Sequence, residues 1–193
     1  MSAPSVARAR RLAAPACALL LALGLAACGK TNDPSSAENN GVYVDAGPVT
    51  YQLEVSRELN QYATEDSQYI RGLPAGTSAT LPPTQIWYGV FLWAKNQTRR
   101  RQMTASSFDI VDTQGTRYYP VALSPSANPY AWTAEQLAPG ATDPLPDTTA
   151  SFGPTQGGLL LFKLNNSVYD NRPLQLEIYP AGGGKPVAVS LDL

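Results

Sequence analysis

Apolar and polar side chains alternate with a period of two along most of the chain after about residue 42. In 49–55 every second residue is apolar, the pattern of a strand with one buried face. Residues 85–95 (QIWYGVFLWAK) are apolar at both parities, which predicts a central strand covered on both sides. Further strands are predicted over 106–111, 116–121, 158–164, 173–179 and 186–192. Seven or eight short strands separated by turns predict an all-β sandwich or barrel.

The connections between these strands carry turn residues. Asp112 to Gly115 predicts a hairpin turn with Gly115 in a left-handed conformation. Thr64 is placed to cap a short helix that ends before Gly72. The segment 133–136 (TAEQ) resembles a capping box and predicts a second helical turn.

A long proline-rich insertion, 122–156, separates two predicted strands. Seven prolines occur from Pro120 to Pro154, counting both. A connection of this length in a compact domain is usually either functional or disordered. Its apolar side chains, Tyr130 and Trp132 among them, predict that it is ordered and packs on the sandwich.

The N-terminus carries the features of a bacterial lipoprotein signal. A basic region ending at Arg11 is followed by an Ala- and Leu-rich run over 12–27, shorter than a membrane-spanning helix. The run closes on Leu25, Ala26, Ala27 and Cys28, which matches a lipobox recognised by the signal peptidase. We therefore expect a signal peptide over 1–27, diacylglycerol on Cys28, a flexible polar tether over 28–41 and a folded domain over 42–193.

Removal of the signal changes the charge and cysteine balance. The mature chain keeps 11 basic and 15 acidic residues, a net charge of −4, and its one cysteine is the lipidated Cys28. The sequence contains no histidine. These counts argue against Ser-His-Asp and Cys-His catalysis, disulfides and the usual transition-metal sites. The low charge fraction argues against nucleic-acid binding, and we expect no cofactor beyond the covalent diacylglycerol.

Several motifs follow one another in a recognisable order. A strand that is apolar on both faces and ends in Asn (89–96) precedes a strand with the pattern Phe-x-Ile-x-Asp (108–112). A Leu-x-Pro-Gly element (137–140) and an apolar strand that begins with Gly (157–164) follow them. This order resembles the uncharacterised immunoglobulin-like domains of actinobacterial and related Gram-positive surface lipoproteins, whose wider relatives include a secreted mycobacterial immunoprotective antigen. The resemblance covers about residues 49–193. It implies an immunoglobulin-like antiparallel β-sandwich of seven to eight strands, with Trp87 or Trp93 as the core tryptophan and no bridging cysteine pair.

Carboxylate chemistry is the remaining route to catalysis, because acid–base pairs need no histidine. Asp109 is expected to point into solvent, since it alternates with Phe108 and Ile110. Asp143 and Asp147 lie among prolines and threonines and are expected to be solvated loop acids. No calcium-type spacing of acids occurs, so no metal site is predicted.

Two groups of side chains are candidates for partner binding. A basic run follows the central strand, and an aromatic set lies in the hairpin and the insertion. Their members are Arg99, Arg100, Arg101, Tyr118, Tyr119, Tyr130 and Trp132.

Together these features predict a membrane-anchored, extracytoplasmic lipoprotein that acts as a non-catalytic binding or adaptor module. Its expected partner is an envelope protein or polymer that contacts the 122–156 insertion. One alternative is a carrier of a small lipophilic ligand held between the sheets. The other is a carboxylate-based hydrolase of envelope polysaccharide.

Overall fold

Twelve strands and three short helical turns make up the part of the chain that is described. The structure is a computed structural model that describes residues 36–37, 41, 43–153 and 155–191. The expected signal peptide, the expected lipobox and Cys28 lie outside these residues. The strands are β1 (Ser36–Ala37), β2 (Tyr43–Ala46), β3 (Val49–Leu59), β4 (Gln85–Asn96), β5 (Gln102–Met103), β6 (Ser107–Val111), β7 (Arg117–Tyr118), β8 (Gln136–Leu137), β9 (Thr142–Asp143), β10 (Gly158–Asn165), β11 (Leu174–Tyr179) and β12 (Val187–Leu191). The helical turns are α1 (Thr64–Ser67) and two 3-10 turns, Thr149–Ser151 and Asn166–Asp170.

The strands form two principal sheets that pack face to face, so the predicted all-β sandwich is confirmed. Sheet A has the order β1-β12-β11-β6-β7, and sheet B has the order β10-β4-β3-β2 with β9 also paired to β4. All principal pairings are antiparallel except the edge pairing of β1 with β12. A small third sheet joins β5 to β8. Seven strands have four or more residues, in agreement with the seven or eight predicted.

The space between the sheets is filled by side chains of one parity from each strand. Tyr88, Val90 and Leu92 of β4 face Leu176 and the other inward residues of sheet A, and all are essentially fully buried. Burial of this apolar surface is the main favourable contribution to folding, at about 25 cal/mol per Å². The alternation seen in the sequence therefore identifies the inner face correctly.

A second apolar layer covers the outer face of sheet B. The opposite parity of β4 supplies Trp87 and Phe91, which are buried beneath Tyr69 and Leu81 of the 60–84 connection. Trp87 donates its indole N–H to the carbonyl of Ala79 at 2.8 Å. This layer explains why β4 is apolar on both faces.

The core tryptophan differs from the one that the sequence predicted. Trp87 and Trp93 share the outer parity of β4, so neither lies between the sheets, and Trp93 is only half-buried. The tryptophan that packs against the inter-sheet core is Trp132, which the insertion contributes from outside the regular strands.

Both predicted helical turns differ from expectation. Thr64 begins α1 rather than capping it, and the N-cap is Ala63 without a side-chain hydrogen bond. Gln136–Leu137 forms the strand β8 instead of a helical turn, because Thr104 exchanges hydrogen bonds with Glu135 and aligns β8 on β5. A capping box does occur, at Thr148 and Ser151 around the first 3-10 turn.

The tether and the insertion are both more regular than the surrounding sequence suggests. Within the predicted tether, Ser36–Ala37 forms β1 and pairs with Ala188 and Val189 of sheet A. The insertion contains β8, β9 and a 3-10 turn, so the expectation that it is ordered is confirmed for its described residues. None of the helices in the described ranges has the length and apolar character that crossing a bilayer requires.

Candidate functional site

Trp132, a predicted partner-binding residue, is a structural contact of the insertion. Its indole N–H donates to the carbonyl of Ala105 at 2.9 Å. Its ring packs edge-on to Phe108, with centroids 5.6 Å apart, and lies 6.1 Å from the ring of Tyr51. The side chain closes the end of the inter-sheet core, and little of it is left for a partner.

Tyr130 packs on the other face of sheet B. Its ring lies edge-on to Tyr69 at 4.9 Å, and its hydroxyl group donates to Gln68 Oε1 at 2.8 Å. Tyr130 belongs to the outer apolar layer and Trp132 to the inter-sheet core. These two members of the aromatic set therefore do not form one shared recognition surface.

The two hairpin tyrosines have different environments. Tyr118 packs on the inter-sheet core and donates its hydroxyl proton to Asp112 Oδ2 at 3.1 Å. Asp112 also accepts backbone N–H bonds from Gln114 and Thr116, which form the predicted turn with Gly115 at a φ of 80°. Tyr119 is 66% exposed and is the one member of the aromatic set that is free to meet a partner.

The basic run lies on an exposed turn that is held from beneath by a buried amide. Arg99, Arg100 and Arg101 are exposed and make no ion pair with a described residue. Asn96 is fully buried and donates to the carbonyls of Arg100, Leu137 and Ala138 at 2.7–3.1 Å.

The Asn96 contacts explain two motifs in the sequence. The Asn that ends β4 and the Leu-x-Pro-Gly element meet at one place, where the backbone N–H of Gly140 donates to the carbonyl of Asn96 at 2.8 Å. Both motifs are therefore structural.

A concave surface that the sequence did not reveal lies over the outer end of sheet B. We call it the Trp93 trough; it has a volume of about 210 Å³ and is open to solvent. Its sides come from β3, β4 and the 142–156 part of the insertion. The lining residues are Gln52, Glu54, Trp93, Thr142, Pro144, Pro146, Ser151 and Gln156. Trp93 is half-buried there, and the ring of Tyr43 supports it edge-on at 6.2 Å.

Two local irregularities of the backbone coincide at this trough. The pairing of β3 with β4 shifts between Leu53 and Val55, so Glu54 is the extra residue of a β-bulge. Gln156 has a φ of 45°, in the left-handed region that non-glycine residues rarely adopt. Bulges and strained residues concentrate at functional sites, where they redirect side chains.

Glu54 and Gln156 have polar side chains that are available within the described part of the chain. Neither side chain makes a hydrogen bond or an ion pair with any described residue. Partial burial raises the pKa of the Glu54 carboxyl group. The trough therefore presents an aromatic ring beside unoccupied hydrogen-bonding groups.

A second pocket lies on the other side of Pro144, and we call it the Asp143 pocket. It has a volume of about 170 Å³, and its lining includes Tyr130, Glu135, Asp143 and Gly158. The Oδ2 atom of Asp143 is buried without a hydrogen-bond partner among the described residues. Burial, with a smaller contribution from the charge of Glu135, raises the pKa of Asp143 to about 7. The expectation that Asp143 is a solvated loop acid is therefore wrong, because β9 turns its side chain inward.

Asp109 differs from expectation in a related way. Its side chain faces outward from sheet A as predicted, but it is buried beneath Arg117. One Arg117 nitrogen donates to Asp109 Oδ2 at 2.8 Å and to Glu177 Oε2 at 2.6 Å. Partial burial raises the pKa of Glu177, but hydrogen bonds from Arg117 and Tyr179 outweigh it and lower the pKa. Both carboxylates are ion-paired with the one Arg117 cation, so these three side chains link β6, β7 and β11 across sheet A.

Comparison with known proteins identifies a fold. No family model and no curated protein matches the chain. The crystal structure of the yjhA protein from Bacillus subtilis matches 80% of this chain and 99% of its own, with a TM-score of 0.50 and 12% identity.

Two further structures match with lower TM-scores. The ycdA protein from Bacillus subtilis, provisionally described as a lipoprotein, matches 80% of this chain over 39% of its own (TM-score 0.49, 14% identity). An uncharacterised β-sandwich protein from Clostridium difficile matches 85% of this chain over 99% of its own (TM-score 0.42, 10% identity). At these identities the likeness concerns the fold alone.

Sequence reasoning missed both pockets for the same reason. The lining of the Trp93 trough combines residues from β3, β4 and the insertion that are up to about 100 positions apart. The lining of the Asp143 pocket brings separate parts of the insertion, from Pro129 onward, together with Gly158 of β10. The one local indication was the outer parity of β4: Trp93 lies beyond the part of sheet B that the 60–84 connection covers.

Proposed function

We propose that this chain is a lipoprotein held on the extracytoplasmic face of a bacterial membrane, where its β-sandwich binds an envelope partner without catalysing a reaction. The anchor is the diacylglycerol expected on Cys28, and the partner is a protein or polymer of the envelope. Two acyl chains are enough for stable membrane attachment.

The observation that carries the binding role is the Trp93 trough. Concave surfaces that combine an aromatic ring with a few polar groups are the usual form of ligand and partner sites. The trough lies against the 122–156 insertion, as the sequence predicted for the partner contact. Its residues replace Tyr130 and Trp132 as the main recognition surface, whereas Tyr119, Arg99, Arg100 and Arg101 remain exposed candidates for a peripheral contact.

The proposal also includes the family to which the chain is related. We place the chain with the immunoglobulin-like domains of Gram-positive surface lipoproteins and their secreted mycobacterial relatives. The contacts of Asn96 with Leu137 and Ala138 support this placement, because they give the shared motifs a common structural role.

The alternative functions fit less well. A lipophilic carrier needs an apolar cavity between the sheets, and the described residues of that region form a continuous buried cluster. A hydrolase is favoured by one observation, the protonatable Asp143 beside Glu135. Thr142 faces the trough and Asp143 faces the other pocket, so this acid does not point at a ligand bound over Trp93.

Cross-linking in intact producing cells, followed by detergent extraction and mass spectrometry, tests the binding role. The full chain should capture the same envelope component repeatedly, and Trp93→Ala should lose it. Trp93→Phe keeps a ring and should retain part of the capture. Tyr62→Ala, which removes a 78% exposed aromatic elsewhere, is the matched control.

Other results would contradict the proposal. Loss of capture by Tyr119→Ala, with Trp93→Ala unaffected, would move the site to the hairpin. Release of reducing sugar from envelope glycan, abolished by Asp143→Asn, would show that the chain is a hydrolase.

A further inference from the structure

The free hydrogen-bonding groups of the Trp93 trough define the chemistry of its ligand. The hydroxyl groups of Thr142 and Ser151 already donate to the carbonyls of Pro144 and Thr148. Glu54 and Gln156 remain available, because neither makes a hydrogen bond with a described residue. An occupant must therefore supply donors for a carboxylate and a mixture of donors and acceptors for an amide.

Gln52 adds a third group beside the ring. It is the direct cross-strand partner of Trp93, so its amide lies next to the indole on the same face of sheet B. Its nitrogen donates to the carbonyl of Gly41 at 3.2 Å, which fixes the amide and leaves its oxygen as an acceptor. The side-chain oxygens of Gln52, Glu54 and Gln156 therefore offer hydrogen-bond acceptors beside the Trp93 ring.

The composition of the lining argues against charged ligands. No Lys or Arg belongs to the described residues of the lining, so none of them compensates an anionic group. A quaternary ammonium ligand is usually held within a cage of several aromatic faces. Among the described residues that line the trough, Trp93 is the only aromatic one, and Tyr43 supports it from the side.

An uncharged sugar ring matches this arrangement. One face of such a ring carries C–H groups that pack on an aromatic plane, while its edges carry hydroxyl groups that donate and accept hydrogen bonds. Hydroxyl donors satisfy the half-buried Glu54 carboxylate, whose polar oxygens are costly to cover without partners.

We propose that the Trp93 trough binds one ring of an uncharged saccharide, with its apolar face on Trp93 and its hydroxyl groups on Glu54, Gln52 and Gln156. This proposal rests on the binding role proposed above and names the chemical class of its ligand.

Titration of the full chain in detergent tests the proposal. The probes are neutral oligosaccharides released from the envelope of the producing cells, and choline is the cationic comparison. Trp93→Ala should weaken oligosaccharide binding by about tenfold or more, because stacking on the ring is lost. Tyr62→Ala should bind as the unmodified chain does.

Glu54→Gln separates the ligand classes. It keeps the shape and hydrogen-bonding capacity of the site but removes its charge, so saccharide affinity should fall only a few-fold and should not depend on salt concentration. Binding of a cation would be lost almost completely and would weaken with salt. Circular dichroism of each variant confirms that it is folded.

The outcomes distinguish this proposal from the broader one. Choline binding without saccharide binding, or saccharide binding that is unchanged in Trp93→Ala, overturns the saccharide assignment. Capture of an envelope protein through Trp93, with no oligosaccharide bound, also overturns it but leaves the binding role intact. If neither oligosaccharide nor protein depends on Trp93, both proposals fail.

Discussion

Tyr130 and Trp132 are two positions apart but pack into different apolar layers, one outside sheet B and one between the sheets. Aromatic content alone therefore does not predict a binding surface, because the same side chains anchor a connection to its scaffold. Trp93 shows the reverse: it lies in β4, the longest described strand, but the outer apolar layer ends before reaching it. At the scale of single residues, the environment decides the role.

Replacement of Trp132 should affect stability before it affects binding. Trp132→Ala removes the contacts with Phe108 and Tyr51 and leaves the carbonyl of Ala105 without its partner. We expect the free energy of unfolding to fall by roughly 3 kcal/mol. Urea denaturation of the variant measures this, with Tyr62→Ala as a control that should change by less than about 0.5 kcal/mol. Unchanged stability with loss of partner capture would restore Trp132 as a recognition residue.

Asp143 should make stability depend on pH near neutrality. Burial raises its pKa from 3.8 to about 7, so the folded chain keeps a proton that the unfolded chain has released across this interval. The free energy of unfolding therefore falls as the pH rises from about 4 to 7, by at most roughly 4 kcal/mol. Above the folded-state pKa of about 7, the whole contribution of this proton to the free energy of unfolding is lost.

Asp143→Asn removes this titration and provides the test. Urea denaturation at about pH 4 and pH 8 should show a smaller difference for the variant, with a gain of stability over the unmodified chain at the higher pH. Asp147→Asn is the matched control, since Asp147 is exposed in the same loop. Parallel pH profiles for the chain and Asp143→Asn would contradict the burial of this carboxyl group.

The insertion shapes the site through the way it joins sheet B. It leaves β4 at β9, makes an excursion over 144–157 and returns to the same edge of β4 as β10. The Trp93 trough and the Asp143 pocket lie on the two sides of this excursion and share Pro144. At the scale of elements, both cavities form because β9 and β10 pair with the same edge of β4.

Gly157 is the point at which this excursion closes. A Cβ atom there would lie 2.9 Å from the backbone nitrogen and oxygen of Leu92 in β4. Gly157→Ala should therefore displace the start of β10, lower stability by about 1–3 kcal/mol and weaken any binding to the trough. Gly182→Ala is the control, since a Cβ atom there meets nothing within 4 Å. Equal melting temperatures for the two variants would contradict the close approach.

At the scale of the whole molecule, folding and membrane attachment should be separable. The described core begins at Val44, well after the expected lipid anchor at Cys28. Cys28→Ala should therefore move the protein from the membrane fraction to the soluble fraction while its thermal midpoint stays unchanged. Fractionation and calorimetry check the two halves of this prediction. A soluble variant with a lower midpoint would show that the N-terminal region contributes to the stability of the fold. An unmodified Cys28 in the mature protein would contradict the expected lipid anchor.

The sequence by itself determined the features that depend on local periodicity and turn chemistry. It predicted the long strands closely, the Asp112 turn, the sandwich and the order of the insertion, because alternation and turn residues act over a few neighbours. It did not predict that Ser36–Ala37 pairs in sheet A, or that Gln136–Leu137 forms a strand, since their partners lie far away in the chain.

Only the tertiary structure decided which surfaces are covered. The apolar parity of β4 that contains Trp87 and Trp93 looks uniform in the sequence, but the 60–84 connection buries one end and the insertion leaves the other as an open trough. Asp143 is equally ambiguous among its loop neighbours, and its inward orientation follows from pairing with Ala94. Long-range packing therefore fixed the candidate site, because exposure and pKa depend on what lies across space rather than along the chain.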